Sequence, residues 1–362
     1  MNKQQYENII AFHPGFYIEE ILEELEMTQD EFAKRLDVSA KTISKLVNAQ
    51  IPLSNDLASK ISIMLGISVE TLINLQKAFE LKVLEIEKQK SLDEQKEIVK
   101  TIDYNYFVRN KILPIANNAY EKIYNLCAFL KVSNLTLLTK PDLLASFRTS
   151  VLNITEKNII NANVWLQTAI NYGLKMQVEP FDAKKLKAAI PEIRRMTLMN
   201  PQDFIPRLEE IFKECGVAFV LLPSLKNCGV NGVIKWFDDK VVLGINDRNL
   251  FADTFWFSLF HEIGHIFQQK KTRIIINDKL LSQTSQDLED DANQFARNTL
   301  IPENEYISFL NLLTDHITYA QISSFAQEIG IHPGIVIGRL QHDNHISYSQ
   351  FANKRVKYQI VM

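Results

Sequence analysis

The stretch FWFSLFHEIGHIFQQKK, residues 255–271, places two histidines and a glutamate among large apolar side chains. Apolar residues lie nearly all round a helical projection of this stretch, so it predicts a buried helix. His261 and His265 are four residues apart and therefore share one face of that helix. Burying three ionisable groups without partners is unfavourable, and a divalent cation removes that cost. The stretch therefore predicts a metal site within a helical core.

The spacing His-Glu-x-x-His indicates zinc, Zn2+, as the metal. Both imidazoles can point at one ion about 2 Å from each nitrogen. Glu262 lies about 100° round the helix from His261, so it can hold a metal-bound water instead of the metal and act as the catalytic base. Asp253 or Thr254 is expected to cap the helix.

A catalytic zinc site needs a third protein ligand. The next strong helical pattern is SQDLEDDANQFARNTLIP, residues 285–302. Glu289 lies on its buried face and is the preferred ligand, with Asn293 one turn further on as a group that steadies a ligand histidine. Asp290 and Asp291 are the competing ligands, although an exposed acidic helix start would also explain them.

These residues fit peptide-bond hydrolysis. In this interpretation Glu262 takes a proton from the attacking water and passes it to the leaving amine, and zinc polarises the scissile carbonyl. The segment KVVLGIN, residues 240–246, could hold an extended substrate as an added strand. Tyr319 and His332 are candidates for stabilising the oxyanion, and a structural role would explain either one equally well.

Residues 27–68, MTQDEFAKRLDVSAKTISKLVNAQIPLSNDLASKISIMLGIS, have the pattern of a helix-turn-helix. Thr28 is predicted to cap the first helix, with Glu31 completing a capping box. Ser39 is predicted to cap the second helix after the turn DVS. The buried side of that second helix is expected to consist of Ile43, Leu46 and Val47.

The exposed side of the second helix is polar and free of acids, which suits contact with base edges and phosphates in a major groove. Gln29, at the start of the first helix, is placed for a phosphate contact. Residues 1–80 carry seven Lys and Arg against twelve Asp and Glu, so binding is expected to be weak, salt-dependent and strengthened by a homodimer. A helical protein-interaction domain is the alternative. The predicted DNA-contact residues are Gln29, Ser39, Lys41, Thr42, Ser44, Lys45 and Asn48.

The chain of 362 residues is long enough for two or three domains, and its net charge is only −3. No run of 18 apolar residues occurs, and the start lacks the apolar segment of a secretory signal. We therefore expect a cytoplasmic protein without a membrane partner. The three cysteines are too widely spaced for a disulfide framework or a CxxC site. Cys228 as an inhibitory zinc ligand is a minor alternative.

The predicted fold is mainly α with a small α+β C-terminal unit. Helical spacing dominates, a charged helical spacer starts at Val69, and a β-type run at 217–223 precedes a hairpin over 229–247 turning at Asp238-Asp239. Residues 318–340 could form a second winged-helix-like element, but a helical cap on the peptidase is preferred because Pro333-Gly334 is expected to break the helix start. The predicted domains are a five-helix DNA-binding domain (1–80), a helical linker or middle region (81–199), a zincin-like metallopeptidase domain with a short β-sheet (200–345) and a C-terminal tail (346–362).

Both sites together resemble a known arrangement, in which an Xre/HigA-type helix-turn-helix regulator is fused to an ImmA/IrrE-type zinc metallopeptidase domain. The C-terminal likeness rests on GVNGVIKW, WFSLFHEIGHIF, LEDDANQFARNTLIP and HPGIVIGRLQHD, and the middle segments SFRTS and NVWLQTA are also similar. The family's metal pattern, H-E-x-x-H followed by E-x-x-A-N-x-F-A, is met by His261, Glu262, His265 and Glu289. One departure is Asn48-Ala49 where such antitoxins usually have Asn-Gly, so Asn48 is expected to take the left-handed position.

The resemblance implies a cytoplasmic regulator that binds operator double-stranded DNA. In the first hypothesis its zinc domain cleaves a regulatory protein, either a repressor or its own chain. In the second it is a HigA-like antitoxin and autorepressor of a toxin–antitoxin operon, and the zinc domain is a sensor or binds the cognate toxin.

Overall fold

The computed structural model of the protein describes residues 3–141, 155–230, 232–246, 251–272, 281–313 and 316–358. The chain divides into two compact units, one of residues 1–99 and 116–124 and the other of residues 100–115 and 125–362. The predicted linker over 81–199 therefore contributes residues to both units. The SFRTS segment and Asn231 lie outside the described residues.

Five helices form most of the first unit, as predicted. They are α1 (Pro14–Glu24), α2 (Gln29–Arg35), α3 (Ala40–Val47), α4 (Asn55–Leu65) and α5 (Val69–Thr101). The predicted spacer is part of α5, a single helix of 33 residues. An antiparallel hairpin of β1 (Lys3–Tyr6) and β2 (Ile9–Phe12) precedes α1. This hairpin was not predicted, because its turn lacks glycine and is made by Glu7 with a positive φ of 49°.

The helix-turn-helix is closed by hydroxyl caps. Thr28 Oγ1 accepts from the Glu31 amide at 3.2 Å, and Ser39 Oγ accepts from the Thr42 amide at 3.0 Å, so both predicted caps are confirmed. The second half of the predicted capping box is wrong, because the Glu31 carboxylate pairs with Arg35 one turn further on. The predicted inner side of α3 is confirmed, with Ile43, Leu46 and Val47 all buried.

The end of α3 differs from the prediction. Asn48 has an ordinary φ of −81°, and Ala49 takes the left-handed position with a φ of 56°. The Asn48 side chain donates to the Ser44 carbonyl at 2.8 Å, and this bond holds Asn48 within the last helical turn. An alanine at positive φ is strained, and the contacts of α3 must offset that strain.

The described residues of the second unit contain ten further helices, with α7 shared between the two units. They are α6 (Tyr104–Arg109), α7 (Ala119–Leu130), α8 (Glu156–Lys175), α9 (Ala183–Arg195), α10 (Pro201–Glu214), α11 (Ala252–Thr272), α12 (Leu281–Leu300), α13 (Glu303–Leu312), α14 (Tyr319–Ile329) and α15 (Pro333–His342). Pro333 begins α15, so the predicted break at Pro333 is wrong. Proline suits a first helical position because the amide there needs no partner.

A three-stranded sheet lies in the second unit. Its strands are β3 (Val217–Leu222), β4 (Gly232–Phe237) and β5 (Lys240–Asn246), in the order β3-β5-β4. The predicted hairpin is confirmed, with β4 and β5 antiparallel around Asp238, whose φ is 37°. β3 pairs with β5 in parallel. β5 is therefore the central strand and cannot accept an added strand, which corrects the prediction for residues 240–246.

The main hydrophobic core surrounds α11. Its side chains Trp256, Leu259, Phe260 and Ile263 are all fully buried, as the opening stretch predicts. The helix begins at Ala252, so Asp253 and Thr254 lie inside its first turn and do not cap it. Asp253 instead pairs with the Arg355 guanidinium through two bonds of 2.7 and 3.1 Å. The mainly helical fold with small sheets confirms the predicted fold class.

Arg194 ties three helices of the second unit together. From α9 its guanidinium donates to the carbonyls of Thr299, Leu300 and Ile329, at the carboxyl ends of α12 and α14, with distances of 2.8 to 3.2 Å. Helix carboxyl ends leave carbonyls without partners inside the helix, and a cation there is favourable. Arg194 therefore supplies the partners of these carbonyls.

Replacing Arg194 with Met keeps the apolar part of the side chain and removes these donors. We expect a loss of about 3 kcal/mol in the free energy of unfolding, because hydrogen bonds from a charged donor are strong and the carbonyls are left without partners. Urea denaturation of Arg194→Met and of the exposed neighbour variant Arg195→Met measures the effect. Equal stability of the two variants would contradict this role.

Candidate metal centre and DNA-reading helix

Three side chains from α11 and α12 meet at one point. His261 and His265 project from successive turns of α11, and Glu289 reaches them from α12. One ligand atom from each lies within 4.8 Å of the other two. Glu289 Oε2 is 3.5 Å from His261 Nε2, and Glu289 Oε1 is 3.5 Å from His265 Nε2. Within the described residues, these three form a group that could hold a metal ion.

Both imidazoles are fixed through their Nδ1 atoms. The amide oxygen of Asn293 lies 2.9 Å from His261 Nδ1, and the amide oxygen of Gln268 lies 2.9 Å from His265 Nδ1. An amide oxygen can only accept, so each Nδ1 carries the hydrogen and each neutral ring keeps a lone pair on Nε2. The two Nε2 atoms are only 3.0 Å apart. Facing lone pairs at that distance repel each other unless a positive charge lies beside them.

Gln268 was not predicted. Its Nε2 donates to the Leu288 carbonyl at 2.8 Å, which fixes the orientation of the amide that holds His265. The three-residue spacing from His265 is a signal for such a contact, because side chains at that spacing share a helix face. Asn293 was predicted to steady a ligand histidine, and the structure places it against His261.

Glu262 lies beside the cluster and outside the group of possible ligands. Its carboxylate packs against Gly232, the first residue of β4, where any side chain would collide with it. A larger residue at this position would therefore displace the Glu262 carboxylate. Burial raises the pKa of the Glu262 carboxyl above its usual range, and the charges of His261 and His265 oppose that shift. The environment thus favours proton uptake by Glu262.

Glu289 has the opposite environment. Its contacts with His261 and His265 hold the pKa of its carboxyl far below the usual range, so it remains an anion. Burial lowers the pKa of His265, but the Glu289 and Glu262 carboxylates outweigh burial and raise it overall. The competing candidates Asp290 and Asp291 are exposed and take no part in the cluster.

The other candidate residues have structural contacts. His332 Nδ1 accepts from the Gly334 amide at 3.0 Å and caps α15. Tyr319 packs against Phe351, with Lys354 over its ring. Cys228 is buried, with Sγ 3.8 Å from the Val230 carbonyl. No described contact brings any of the three to the histidine cluster.

In the first unit, α3 presents the polar surface that the sequence predicts. Lys41 and Asn48 are exposed, and Thr42, Ser44 and Lys45 are half-buried. Ser39 is exposed but its hydroxyl already caps α3 and contacts Thr42 Oγ1 at 2.8 Å. Asn48 binds the Ser44 carbonyl, and Gln29 lies half-buried at the start of α2. Lys41 and Lys45 therefore have the side chains least committed within this surface.

Two parts of the chain are similar to known families. Residues 18–72 match the helix-turn-helix family, and residues 228–351 match the IrrE N-terminal-like domain of peptidase family M78. A stretch of 68 residues, 19% of this chain, is 35% identical to the uncharacterized HTH-type transcriptional regulator YddM of Escherichia coli K12 and covers 72% of it. A solved structure from Nostoc punctiforme, described as a candidate antidote protein of a plasmid maintenance system, is 32% identical over 22% of this chain and 89% of that chain, with a TM-score of 0.21.

The chain belongs to the HTH-type transcriptional regulators and carries a C-terminal domain of the IrrE-like M78 peptidase family. These matches confirm the predicted resemblance to a helix-turn-helix regulator fused to an IrrE-type peptidase domain. The helix-turn-helix implies DNA binding, and the peptidase family implies a metal. No described helix is both long and apolar enough to cross a membrane.

Removing the Asn293 amide tests whether it orients His261. We expect Asn293→Ala to weaken metal binding by about 10- to 100-fold, because a ligand imidazole without its supporting partner rotates freely. Competition with a coloured chelator measures the affinity, and Gln294→Ala, at the exposed neighbouring position, is the control. An Asn293→Ala affinity equal to that of the control would show that the contact does not orient the ligand.

Proposed function

We propose that the protein is a DNA-binding transcriptional regulator whose C-terminal domain is a zinc-dependent endopeptidase. The peptidase hydrolyses a peptide bond in a regulatory protein, either another repressor or its own chain. One observation carries the proposal: the Nε2 lone pairs of His261 and His265 face each other at 3.0 Å with an anionic carboxylate beside them. A divalent cation is the group that this arrangement accommodates.

The donor set supports zinc as the ion. Ligand atoms of a tetrahedral zinc ion lie about 3.3 Å apart, since each is about 2 Å from the metal. His261 Nε2 and His265 Nε2 are 3.0 Å apart, and each lies 3.5 Å from a different oxygen of Glu289, which is close to that value. With one ligand atom from each residue, all three atoms lie within 4.8 Å of one another. When bound, zinc supplies a Lewis acid that polarises the scissile carbonyl and makes water more acidic.

Glu262 is the proposed general base. It is adjacent in sequence to His261 but contributes no atom to the ligand group, so its carboxylate stays available for a proton. Its raised pKa brings its basicity closer to that needed near neutral pH. The carboxylate takes the proton of the attacking water and then delivers it to the amine that leaves.

Strand β4 is the proposed binding edge for the substrate. In the described chain it pairs only with β5, so it is an edge strand of the sheet. Gly232, at the start of that strand, contacts the Glu262 carboxylate. An extended peptide added along this edge would therefore pass the catalytic base. We therefore propose that β4 binds the substrate as an added strand, in place of β5, which the sequence had suggested.

The helix-turn-helix is proposed to bind operator double-stranded DNA through α3. Lys41 and Lys45 contact phosphates, and Thr42 is placed to reach a base edge. We propose a homodimer on a two-fold operator, because the acidic excess of residues 1–80 leaves a single copy with little electrostatic attraction to DNA.

An antitoxin-like autorepressor with a sensing or toxin-binding zinc domain is the alternative function. That role needs the metal ligands but gives no reason for a carboxylate held beside them. Glu262 is half-buried and its space is kept open by Gly232, and this arrangement favours catalysis.

Glu262→Gln keeps the side-chain shape and removes the base. We expect cleavage to fall by at least about 100-fold, while zinc content and DNA binding stay unchanged. The zinc-loaded full chain is incubated with copies of itself and with the regulators encoded beside its gene, and the products are identified by mass spectrometry. Equal cleavage by wild type and Glu262→Gln would remove Glu262 from the mechanism.

The DNA-reading helix has its own test. We expect Lys41→Ala and Lys45→Ala each to weaken binding to the upstream region of the protein's own gene, and to reduce the slope of log K against log salt by about 1. Fluorescence anisotropy between low and high salt gives both quantities. Lys77→Ala, exposed on α5, is the control. Identical salt slopes for all variants would exclude α3 from the interface.

A further inference from the structure

Helices α11 and α12 pack antiparallel, and this packing brings their side chains together in successive pairs. His265 meets Glu289, and one turn earlier on α11 His261 meets Asn293. The next turn in the same direction carries Phe257 and Arg297, at the same four-residue spacing on both helices. Phe257 lies against His261, with ring centroids 6.2 Å apart. This third pair is thus about 6 Å along the helix from the pair that includes His261.

A cavity of about 230 Å³ opens at this third pair. It lies between α11, α12 and α15, and residues near its far end include Asp253 and Ile301. Polar and apolar residues both line it, but most of its surface is apolar, and its buried members include Leu300, Ile301 and Ile335. An engineered apolar cavity of about 150 Å³ holds a benzene molecule. A volume of 230 Å³ therefore accommodates a large amino-acid side chain.

Most of the charge around the cavity is already paired. Arg355 binds Asp253 through two bonds, and Arg339 binds Asp343. Arg297 has no carboxylate partner among the described residues and lies 3.4 Å from the His342 ring. The mainly apolar surface of the cavity therefore favours an apolar occupant, and Arg297 is the group to which an acidic occupant would bind.

We propose that this cavity is the substrate pocket for a large apolar side chain next to the scissile bond. This inference rests on the proposed peptidase function. In an extended peptide consecutive residues are about 3.3 Å apart, so the side chain beside the scissile carbonyl extends several ångströms from it. The cavity is one helical turn from His261, a distance that such a side chain can span. The size and lining of the cavity then select which side chain lies next to the cleaved bond.

Hydroxamates chelate zinc without undergoing peptide-bond hydrolysis, so their affinities report binding in the pocket alone. Two series are titrated into the zinc-loaded full chain by calorimetry, N-acetyl-amino-acid hydroxamates and 2-substituted succinyl hydroxamates, which carry the side chain on opposite sides of the chelating group. Each includes glycine-like, leucine-like, phenylalanine-like and glutamate-like members. We expect the leucine- or phenylalanine-like member of one series to bind about 10- to 100-fold more tightly than its glycine-like member.

Filling the cavity tests its location. Thr254 lines the cavity from α11 and is not part of the metal cluster. We expect Thr254→Phe to abolish the preference for large side chains and to leave the affinity for acetohydroxamate unchanged, which also shows that the variant is folded. Ser324→Phe, on the exposed side of α14 and outside this cavity, is the control and should keep the preference.

The outcomes distinguish the two proposals. Acetohydroxamate binding without a side-chain preference in either series overturns the pocket and leaves the metal site intact. Tightest binding of a glutamate-like member overturns the apolar selectivity. A preference that persists in Thr254→Phe places the pocket elsewhere. Failure of every hydroxamate, including acetohydroxamate, to bind zinc-loaded protein would overturn the proposed peptidase and the pocket together.

Discussion

The close antiparallel packing of α11 on α12 is the constraint on which the rest of the second unit depends. At Gly264 a side chain would come within 3.2 Å of Ala292 Cα and of the Phe295 ring, so glycine permits this approach. The approach brings Glu289 to the histidines and Asn293 to His261. One packing contact thus determines the separation of the metal donors. Since Phe257 and Arg297 follow on the next turn, the same contact also defines the mouth of the cavity.

Much of the site follows from local periodicity. The four-residue spacing of His261 and His265 fixes their common face, and the position of Glu289 on the buried side of α12 favours it over Asp290 without knowledge of the fold. The contacts that the sequence could not predict are long-range ones. Gly232 contacts Glu262 across 30 positions, and Arg355 reaches Asp253 across 102. Neither contact can be recognised from the spacing of residues within one segment of the sequence.

The errors have equally specific causes. β5 was expected to be available to a substrate because the hairpin is a local feature, whereas its parallel pairing with β3 joins segments separated by more than twenty residues. Pro333 was expected to break the start of a helix, although proline is favoured at a first helical position. Asn48 was expected in the left-handed position from its intrinsic tolerance, but its amide is engaged by the Ser44 carbonyl and Ala49 takes the strained conformation.

The balance between apolar and charged groups on α11 explains why the donors can be in place before a metal binds. Trp256, Leu259, Phe260 and Ile263 are fully buried, so apolar burial anchors the helix independently of its ionisable face. Asn293 and Gln268 then hold the imidazoles through their Nδ1 atoms, and the Glu289 carboxylate provides partial charge compensation. The ligand side chains are therefore ordered by folding, and metal binding loses less conformational entropy than it would with mobile ligands. A metal ion beside the two Nε2 atoms, or a proton on His265, whose pKa is raised, relieves the remaining repulsion between their lone pairs.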